Sequence, residues 1–319
     1  MRIKIVGLHA PHAPRLQALL GPQHQVDGLD AFPASGALQA DVVIANSIQP
    51  EEAARLRCRL LHVPGAGSEQ IALQALPAGV TVCNVHGHEV PIAEFTLHAI
   101  LEHCLQLWKY PARLDAQAWA QSYAARPQHD EAHGKTLGIL GFGHIGQEIA
   151  RRARAFGMQV VAITRSGQRQ APELAHETLA IAGLDAVLPR LHTLVICCPL
   201  DDATRGLIGQ RQLSLLPDGA LLVNVARAEV VDEQALYDAL AAGRLGRAVL
   251  DVWYQYPKKG QAPVDPSRWP LHTLPNVRAT PHISAITPAL LDRRYAVMAD
   301  NICRLERGEP LVHVIRAAG

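Results

Sequence analysis

Three glycines with the spacing of a dinucleotide-binding loop occur in the run Gly141-Phe-Gly-His-Ile-Gly146. The apolar run Thr136–Leu140 before them predicts a strand, and the apolar spacing after them predicts a helix. In that setting Gly141 allows a tight turn, Gly143 lets the backbone approach a pyrophosphate, and Gly146 permits close packing of the helix on the strand. The first N–H groups of the helix would then face the phosphates. The loop therefore predicts dinucleotide binding, with a purely structural turn as the alternative.

The end of the next predicted strand, Met158–Ile163, bears on which dinucleotide is bound. A site that prefers NAD places Asp or Glu there to hold the ribose 2′-hydroxyl. This chain has Thr164-Arg165-Ser166 instead, with Arg169 close by. Arginine and serine can bind a 2′-phosphate, which a carboxylate would repel. We therefore expect NADP(H) to be preferred and NAD(H) to be possible, with Arg165 as the main contact; a surface arginine without a cofactor role is the alternative.

Two further groups of residues could bind ligands. His86-Gly-His88 could form a metal-ligand pair, but no third ligand follows at suitable spacing, so a substrate contact is favoured and no metal is expected. Lys258-Lys259 could contact a phosphorylated substrate, although a solvated loop is favoured. The six cysteines lack metal or disulfide spacing, and the adjacent Cys197-Cys198 lie in an apolar run, which indicates buried free thiols.

The composition of the chain argues against several classes of partner. Charged residues make up 18% of the 319 residues and the formal net charge is +1, so a polyanionic partner is not expected. Aromatic residues are only 4%, which argues against stacking on single-stranded nucleic acid. The apolar stretches are too short to cross a bilayer, and the N-terminus lacks the pattern of a signal peptide. We expect a cytoplasmic protein without nucleic-acid or membrane partners.

The elements that position these residues alternate between predicted strands and helices. The first part has the strands Ile3–Gly7, Asp41–Ala45, Leu60–Val63 and Val80–Cys83, and the helices Pro14–Leu20, Glu51–Cys58 and Ser68–Leu76. The second part adds the strands Leu194–Cys198, Ala220–Val225 and Ala248–Val252, and the helices His144–Phe156, Asp232–Ala242 and Thr287–Gly308. Such alternation predicts an α/β fold with two doubly wound parallel sheets.

The middle of the chain has a different pattern. Pro91–Trp108 is apolar nearly all round, which predicts a helix buried between domains or in a subunit interface. Tyr110–His133 contains Pro111 and Pro127 and is predicted to be an irregular arm or linker. Together these segments separate the two alternating series.

Three later segments carry further motifs. They are Cys198-Pro-Leu-Asp-Asp-Ala-Thr-Arg-Gly-Leu-Ile208, Asn224-Val-Ala-Arg-Ala-Glu-Val-Val-Asp232 and Asn276-Val-Arg-Ala-Thr-Pro-His-Ile283. With the glycine loop, they resemble the D-2-hydroxyacid dehydrogenase family. The first half matches more loosely, through Pro64-Gly-Ala-Gly-Ser68 and Ala93-Glu94. The resemblance covers most of the chain and implies an NAD(P)-dependent oxidoreductase that acts on a small acid.

The resemblance implies a discontinuous layout. A flavodoxin-like substrate domain would comprise residues 1–102 and the C-terminal helix within 286–319, and a Rossmann cofactor domain would comprise residues 103–285. The active site would lie in the cleft between them. Members of the family are usually dimers, which agrees with the apolar helix Pro91–Trp108, so we expect a homodimer.

The resemblance also implies roles for single residues. Arg227 matches the arginine that holds the substrate carboxylate and carbonyl, and His282 matches the histidine that gives a proton to the carbonyl oxygen. The backbone at Ala66 and Gly67 would receive the carboxylate, with His88 in the substrate wall. Asp251 matches the residue that fixes the nicotinamide carboxamide. The implied cofactor contacts are Gly141, Gly143, His144, Ile145, Gly146, Thr164, Arg165, Ser166, Cys198, Pro199, Thr204, Ala226 and Asp251.

One catalytic position departs from the family pattern. The family usually has a glutamate before the proline of the segment Asp251-Val-Trp-Tyr-Gln-Tyr-Pro257, where this chain has Tyr256. A carboxylate favours the charged form of the catalytic histidine, whereas a phenol is neutral at pH 7 and can only orient the ring by a hydrogen bond. We therefore expect reduction of a 2-oxo acid to fall off at a lower pH than in relatives with the glutamate. Glu89 is a candidate for a substitute carboxylate.

The favoured activity is NADP(H)-linked reduction of a 2-oxo acid such as glyoxylate or hydroxypyruvate. One alternative is formate oxidation, because formate dehydrogenases of the same superfamily have glutamine at the position of Tyr256 and share Val252-Trp253. The other alternative is a cofactor-sensing binding protein with little or no turnover. The tyrosine supports that alternative, and the presence of Arg227 and His282 argues against it.

Overall fold

A computed structural model describes residues 1–168, 171–257 and 262–318, so Arg169 and Lys258-Lys259 lie outside the described residues. The strands are β1 Arg2–Val6, β2 Gln25–Leu29, β3 Leu38–Gln39, β4 Val42–Ala45, β5 Leu56–Arg57, β6 Leu60–His62, β7 Thr81–Cys83, β8 Thr136–Leu140, β9 Gln159–Thr164, β10 Glu177–Ala180, β11 Thr193–Ile196, β12 Leu221–Asn224, β13 Arg247–Leu250, β14 Val277–Ala279 and β15 Val314–Arg316. The helices are α1 Ala13–Leu20, α2 Pro50–Ala53, α3 Glu89–Leu105, α4 Ala116–Ala125, α5 His144–Ala155, α6 Leu184–Val187, α7 Gln210–Leu215, α8 Glu233–Ala241 and α9 Pro288–Arg307.

The chain folds into two compact units. The first comprises Met1–Gly87 and Thr287–Gly319, and the second comprises His88–Ile286. The resemblance implied segments 1–102, 103–285 and 286–319, and this assignment to a substrate domain and a cofactor domain stays a prediction; the first compact segment ends at Gly87, before residue 102. The difference arises because α3 packs on α5 and shares its apolar core with the second unit.

The first unit is built on a sheet of six strands in the order β15-β7-β6-β4-β1-β2. All neighbours are parallel except β15, which runs antiparallel to β7. The central strands β4 and β6 are mostly apolar and buried on both faces, as expected for a parallel sheet covered by helices. Helix α9 begins as predicted, because the Thr287 hydroxyl accepts a hydrogen bond from the Leu290 N–H and Pro288 occupies the first turn.

Two helices predicted in the first unit are wrong. The predicted helix Glu51–Cys58 stops at Ala53, and Leu56 pairs with Leu38 in the short parallel ladder of β3 and β5. The predicted helix Ser68–Leu76 contains only a 3-10 turn, Leu73–Ala75. Leu56 of the first segment pairs with a distant strand, and Ile71 of the second forms an isolated bridge with Ile48; a local pattern does not reveal such long-range pairing.

The second unit is a doubly wound sheet of seven parallel strands in the order β10-β9-β8-β11-β12-β13-β14. This order confirms the predicted α/β fold with a Rossmann-like domain. The strand order reverses between β8 and β11, and the crevice outside their carboxyl ends is where ligands bind in such sheets.

The predicted irregular segment Tyr110–His133 contains α4, whose first turn is capped by the Asp115 carboxylate accepting from the Ala118 N–H. None of the helices within the described ranges is long and apolar enough to span a membrane.

Candidate active site

The glycine loop lies directly after β8, at the point where the strand order reverses. Gly141 has a left-handed backbone with φ 98°, and a Cβ there would lie 2.5 Å from the backbone nitrogen of Cys198. A Cβ on Gly146 would collide with the carbonyl oxygen of Gly141, so helix α5 can pack against the loop only without a side chain there. A Cβ on Gly143 would meet no atom within 4 Å, so its backbone borders open space. The loop therefore fits a bound pyrophosphate, which needs exposed backbone next to a tight turn.

Helix α5 presents its positive end at this loop. Its N-cap residue is Gly143, no side chain caps it, and its first turn has no acidic residue. The helix dipole is thus not neutralised by a carboxylate of that turn, which suits an anionic ligand beside His144 and Ile145.

The end of β11 forms the other wall of the crevice. Cys198 is buried, and burial raises the pKa of its thiol to about 11, so the side chain is a neutral packing group. The Cys197 thiol donates to the carbonyl oxygen of Gly141 at 2.9 Å. All six cysteines are free, as the sequence predicts.

Arg165, at the end of β9, is paired with Asp201 in the loop that follows β11. The Arg165 side chain is 76% exposed, so most of its N–H groups remain accessible. The Asp201 carboxylate also accepts from the backbone N–H groups of Ala203 and Thr204, both at 3.0 Å. Asp201 therefore fixes where the guanidinium lies. Sequence reasoning missed Asp201, although an aspartate that accepts from the N–H groups after it is a recognisable turn pattern.

The other predicted contacts in this crevice have local hydrogen bonds. The Thr164 hydroxyl accepts from the Gly167 N–H at 2.9 Å, and the Ser166 hydroxyl accepts from the Gln168 N–H at 3.3 Å. The Thr204 hydroxyl donates to the Pro199 carbonyl at 2.8 Å and is buried, so it shapes its own loop. Contact of these residues and Ala226 with a cofactor stays a prediction.

His282 and Tyr256 meet at the carboxyl edge of the same sheet. The Tyr256 hydroxyl lies 2.9 Å from Nδ1 of His282. The backbone N–H of Trp253 donates to the same phenol oxygen at 3.2 Å. Burial raises the pKa of the Tyr256 phenol, and the positive charge of Arg227 opposes this in part. The protonated phenol can donate to Nδ1 of a neutral ring or accept from Nδ1 when that nitrogen carries a proton.

Asp251 holds the turn that carries His282. Its carboxylate is fully buried and accepts from the Thr280 hydroxyl at 2.6 Å, the Ile283 N–H at 2.8 Å and the Ser284 N–H at 2.9 Å. His282 itself has a left-handed backbone with φ 58°, which is unfavourable for a residue other than glycine. The three hydrogen bonds stabilise this conformation, so the structure gives Asp251 a positioning contact with the histidine loop that the sequence did not predict.

Arg227 lies in the loop after β12, next to the strand that leads to Asp251. The buried Asn224 shapes this loop, because its side chain accepts from the Ala226 N–H at 3.1 Å and donates to the Arg227 carbonyl at 3.0 Å. The guanidinium uses one N–H group on the Ala226 carbonyl, at 2.8 Å, and the residue is exposed. Its remaining N–H groups can form the planar fork that binds a carboxylate.

The predicted substrate contacts Ala66 and Gly67 belong to the first unit. They follow β6 in a loop that is tied down by the Asn84 side chain, which donates to the Ala66 carbonyl at 2.7 Å. His88 begins the second unit, and its Nδ1 lies 3.5 Å from the carboxylate of Glu89. The part played by these residues in binding a substrate stays a prediction. Among the described residues, no group of three histidine, cysteine or acidic side chains is arranged to hold a metal ion.

Comparison with known proteins identifies the family. Residues 97–284 match the family described as D-isomer specific 2-hydroxyacid dehydrogenase, NAD binding domain. D-3-phosphoglycerate dehydrogenase of Methanocaldococcus jannaschii is 31% identical over 261 residues, which cover 81% of this chain and 48% of that protein. Hydroxypyruvate reductase of Thermotoga maritima is 33% identical over 231 residues, or 72% of this chain and 71% of that protein.

A solved structure agrees over the whole chain. The 2-hydroxyacid dehydrogenase from Ketogulonicigenium vulgare Y25 superposes with a TM-score of 0.76 at 25% identity, covering 100% of this chain and 99% of that one. The chain therefore belongs to the D-isomer specific 2-hydroxyacid dehydrogenases, a family of nicotinamide-dependent oxidoreductases, and the family prediction is confirmed. It spans about half the length of the phosphoglycerate dehydrogenase named above.

Proposed function

We propose that this protein reduces a small 2-oxo acid, of the size of glyoxylate or hydroxypyruvate, with NADPH. The observation that carries the proposal is the common position of Arg227, Tyr256 and His282. Their loops follow β12, β13 and β14, which are adjacent in the sheet. They lie at the carboxyl edge, where the glycine loop also lies. An acid-binding cation and a proton donor beside a hydride carrier are the parts that this reaction requires.

Arg227 binds the substrate in this proposal. Its accessible N–H groups form two parallel hydrogen bonds to the planar 2-oxo acid, which fixes the carbonyl carbon in one orientation. A reduced dinucleotide held at the glycine loop would supply the hydride for that carbon. The positive charge of Arg227 also stabilises the negative charge that develops on the carbonyl oxygen.

His282 provides the proton. The imidazolium gives its Nε2 proton to the oxygen as the C–O double bond is reduced, and the ring becomes neutral. While the ring is charged, Nδ1 carries a proton and donates to the phenol oxygen of Tyr256. After this transfer the neutral ring carries its remaining proton on Nδ1, which still donates to the phenol oxygen of Tyr256.

Preference for NADPH is supported by the end of β9. Arg165 is exposed there and is oriented by Asp201, and the hydroxyls of Thr164 and Ser166 lie on either side in the chain. A guanidinium with accessible N–H groups favours a ribose 2′-phosphate, and no carboxylate follows β9 to hold a 2′-hydroxyl.

We also propose a homodimer. Several large apolar side chains in and around α4 are about half exposed, namely Leu114, Trp119 and Tyr123, each at 55%. Apolar side chains grouped in this way favour a protein interface. Sedimentation velocity at micromolar concentration would show a single species of twice the 34.5 kDa chain mass; a monomer at that concentration would refute the dimer.

The activity is tested with a panel of 2-oxo acids, each assayed with NADPH and with NADH. We expect glyoxylate or hydroxypyruvate to be reduced, with a higher kcat/KM for NADPH than for NADH. Arg227→Ala should lower kcat/KM by about a hundredfold, since it removes a bidentate charged contact of about 3 kcal/mol. Arg211→Ala is the matched control, because Arg211 is an exposed arginine that pairs with Asp185 away from the site.

Three outcomes would contradict the proposal in different ways. If the Arg227→Ala variant had the same kcat/KM as the unaltered protein, the proposed role of Arg227 in binding the 2-oxo acid would be refuted. Formate-dependent reduction of NAD(P) without 2-oxo acid reduction would identify a different hydride donor. Tight NADPH binding without turnover on any acid would identify a cofactor-sensing protein.

A further inference from the structure

A cavity of about 570 Å³ opens at the amino ends of β12, β13 and β14 in the second unit. Its lining is His103, Gln106, Trp108, Lys109, Gly219, Gly246, Arg247, Pro275, Asn276, Val277 and Arg278. The residues proposed for catalysis follow the carboxyl ends of the same three strands. Because these strands are parallel, the cavity and the candidate active site lie at opposite edges of the sheet. The cavity is therefore not part of the dinucleotide crevice.

The charges around this cavity do not balance. Lys109, Arg247 and Arg278 each contribute a positive charge. One carboxylate, Glu102 on α3, accepts from Nη2 of Arg247 and from Nη2 of Arg278, both at 3.3 Å. Three cations and one anion leave an excess of two positive charges.

Neighbouring groups do not remove this excess. Burial lowers the pKa of His103, so its ring is uncharged at neutral pH. The carboxylate of Asp218, which precedes Gly219 in the chain, is paired with Arg244 instead. Within the described ranges, Lys109 has no carboxylate within ion-pair distance.

Arg247 is the feature that most requires a ligand. Its side chain is only 12% exposed, and its guanidinium lies 4.0 Å from the centre of the Trp108 ring. Its Nη1 is buried and has no hydrogen-bond partner among the described residues. A guanidinium that is buried and has an unused donor is unfavourable, so a negative charge in the adjoining cavity would stabilise Arg247.

We propose that this cavity is a binding site for a small dianion, either a phosphate group or a pair of carboxylates. The excess of two positive charges matches such a ligand. The exposed side chains of Lys109 and Arg278 would donate to its oxygens, and the buried Arg247 would add its positive charge beside the cavity. Gly219 and Gly246 give the cavity a backbone floor, since a Cβ on Gly246 would collide with the Gly219 carbonyl oxygen.

Calorimetric titration of the intact protein tests the site. Inorganic phosphate and malonate are titrated separately at constant ionic strength, with and without NADPH, so that binding at the dinucleotide crevice is recognised by competition. We expect one saturable site for phosphate or malonate that NADPH does not compete for. The two probes distinguish a phosphate ligand from a dicarboxylate. Lys109→Ala and Arg278→Ala should each raise Kd at least tenfold.

The control variant is Arg190→Ala, which also removes an arginine from an ion pair, in this case with Glu177. The Arg190→Ala variant should bind phosphate or malonate with the same Kd as the unaltered protein. Absence of saturable binding, or equal weakening in the Arg190→Ala variant, would overturn the proposal. It would also be overturned if Lys109→Ala changed the sedimentation coefficient but not anion binding, because the face would then be a subunit contact.

Discussion

The Tyr256 hydroxyl lies 2.9 Å from Nδ1 of His282, in the position where a carboxylate would accept a proton from the ring. The same oxygen accepts from the Trp253 N–H at 3.2 Å, which fixes the phenol in place. Because burial raises the pKa of Tyr256, the phenol stays protonated across the neutral range. An uncharged phenol, in place of a negatively charged carboxylate, therefore faces the histidine that we propose as the proton donor of the reaction. This relationship has direct consequences for the pH dependence of the reaction.

Placing a carboxylate at this position should extend reduction to higher pH. In Tyr256→Glu, the negative charge favours the imidazolium, which is the proton donor, so its population persists as pH rises. We expect the pH at which kcat/KM for the 2-oxo acid falls by half to rise by about one to two units. A full pH–rate profile in both directions measures this.

Tyr256→Phe is the matched control for this change. It keeps the ring and removes the hydroxyl, so kcat should fall by about tenfold through loss of one hydrogen bond. The pH at which kcat/KM falls by half should not rise. If the pH dependence of kcat/KM is the same in Tyr256→Glu as in the unaltered protein, the residue at position 256 does not control the protonation of His282.

Replacing Asp251 should impair catalysis through the histidine loop. In Asp251→Asn, an amide N–H₂ group would face the N–H donors of Ile283 or Ser284, so at least one hydrogen bond that stabilises the left-handed turn of His282 is lost. We expect kcat to fall by about 30- to 150-fold, which corresponds to about 2–3 kcal/mol. Steady-state kinetics with varied NADPH separates this effect from cofactor binding.

The two roles considered for Asp251 differ in that measurement. A residue that positions His282 lowers kcat with little change in KM for NADPH, whereas a residue that only holds the nicotinamide carboxamide raises that KM. Asp265→Asn serves as the control, because this carboxylate is 82% exposed. A large rise in KM at constant kcat would contradict the positioning role.

Local patterns in the sequence predicted the glycine loop well and the histidine loop only in part. Gly141 and Gly146 are required by contacts with the next few residues and the adjacent strand, so a short motif identifies them. Asp251 and Ile283 are 32 residues apart, and the hydrogen bond between them depends on the pairing of β13 with β14. The resemblance predicted that Tyr256 replaces a glutamate of the family, which stays a prediction, and the contact of Tyr256 with Trp253 depends on the folded loop.

The same distinction holds for the elements of the fold. Helices α5 and α9 were predicted nearly to the residue, because each has a regular apolar face and a recognisable start. Strand β2 was missed, since Gln25–Leu29 is only partly buried and pairs with β1 at the edge of the sheet. Helix α4 was missed because its apolar residues are exposed and give no helical stripe.

Removal of Arg165 should reduce the preference for NADPH. In Arg165→Ala, the 2′-phosphate loses a charge-assisted contact, so we expect KM for NADPH to rise by about 10- to 100-fold. KM for NADH should change little, because a 2′-hydroxyl does not require the guanidinium. Asp201→Asn should give a smaller rise, since it only releases the arginine from its fixed position. Equal changes for both cofactors would show that Arg165 does not contact the 2′-phosphate.

The buried His62 should make the first unit sensitive to acid. Its Nδ1 donates to the Val63 carbonyl at 3.2 Å and its Nε2 accepts from the Asn301 side chain at 3.0 Å, an arrangement that only the neutral ring allows. Burial lowers the pKa of His62 from 6.5 to about 4. The unfolded chain therefore binds a proton more readily than the folded chain. The stabilisation is complete above about pH 6.5 and is lost as the pH falls towards 4.

Urea unfolding at pH 7.5 and pH 5 measures this effect. Over that interval His62 should lower the free energy of unfolding by about 2 kcal/mol. Burial also lowers the pKa of His9 to about 4, so part of the pH dependence should remain in a His62→Gln variant. That variant should lose about 1–2 kcal/mol at pH 7.5 through weaker hydrogen bonds, yet its stability should fall by about 2 kcal/mol less between the two pH values. His129 is exposed, so His129→Gln should not alter the change in the free energy of unfolding between the two pH values. If both substitutions altered that change equally, His62 would not be the titrating group.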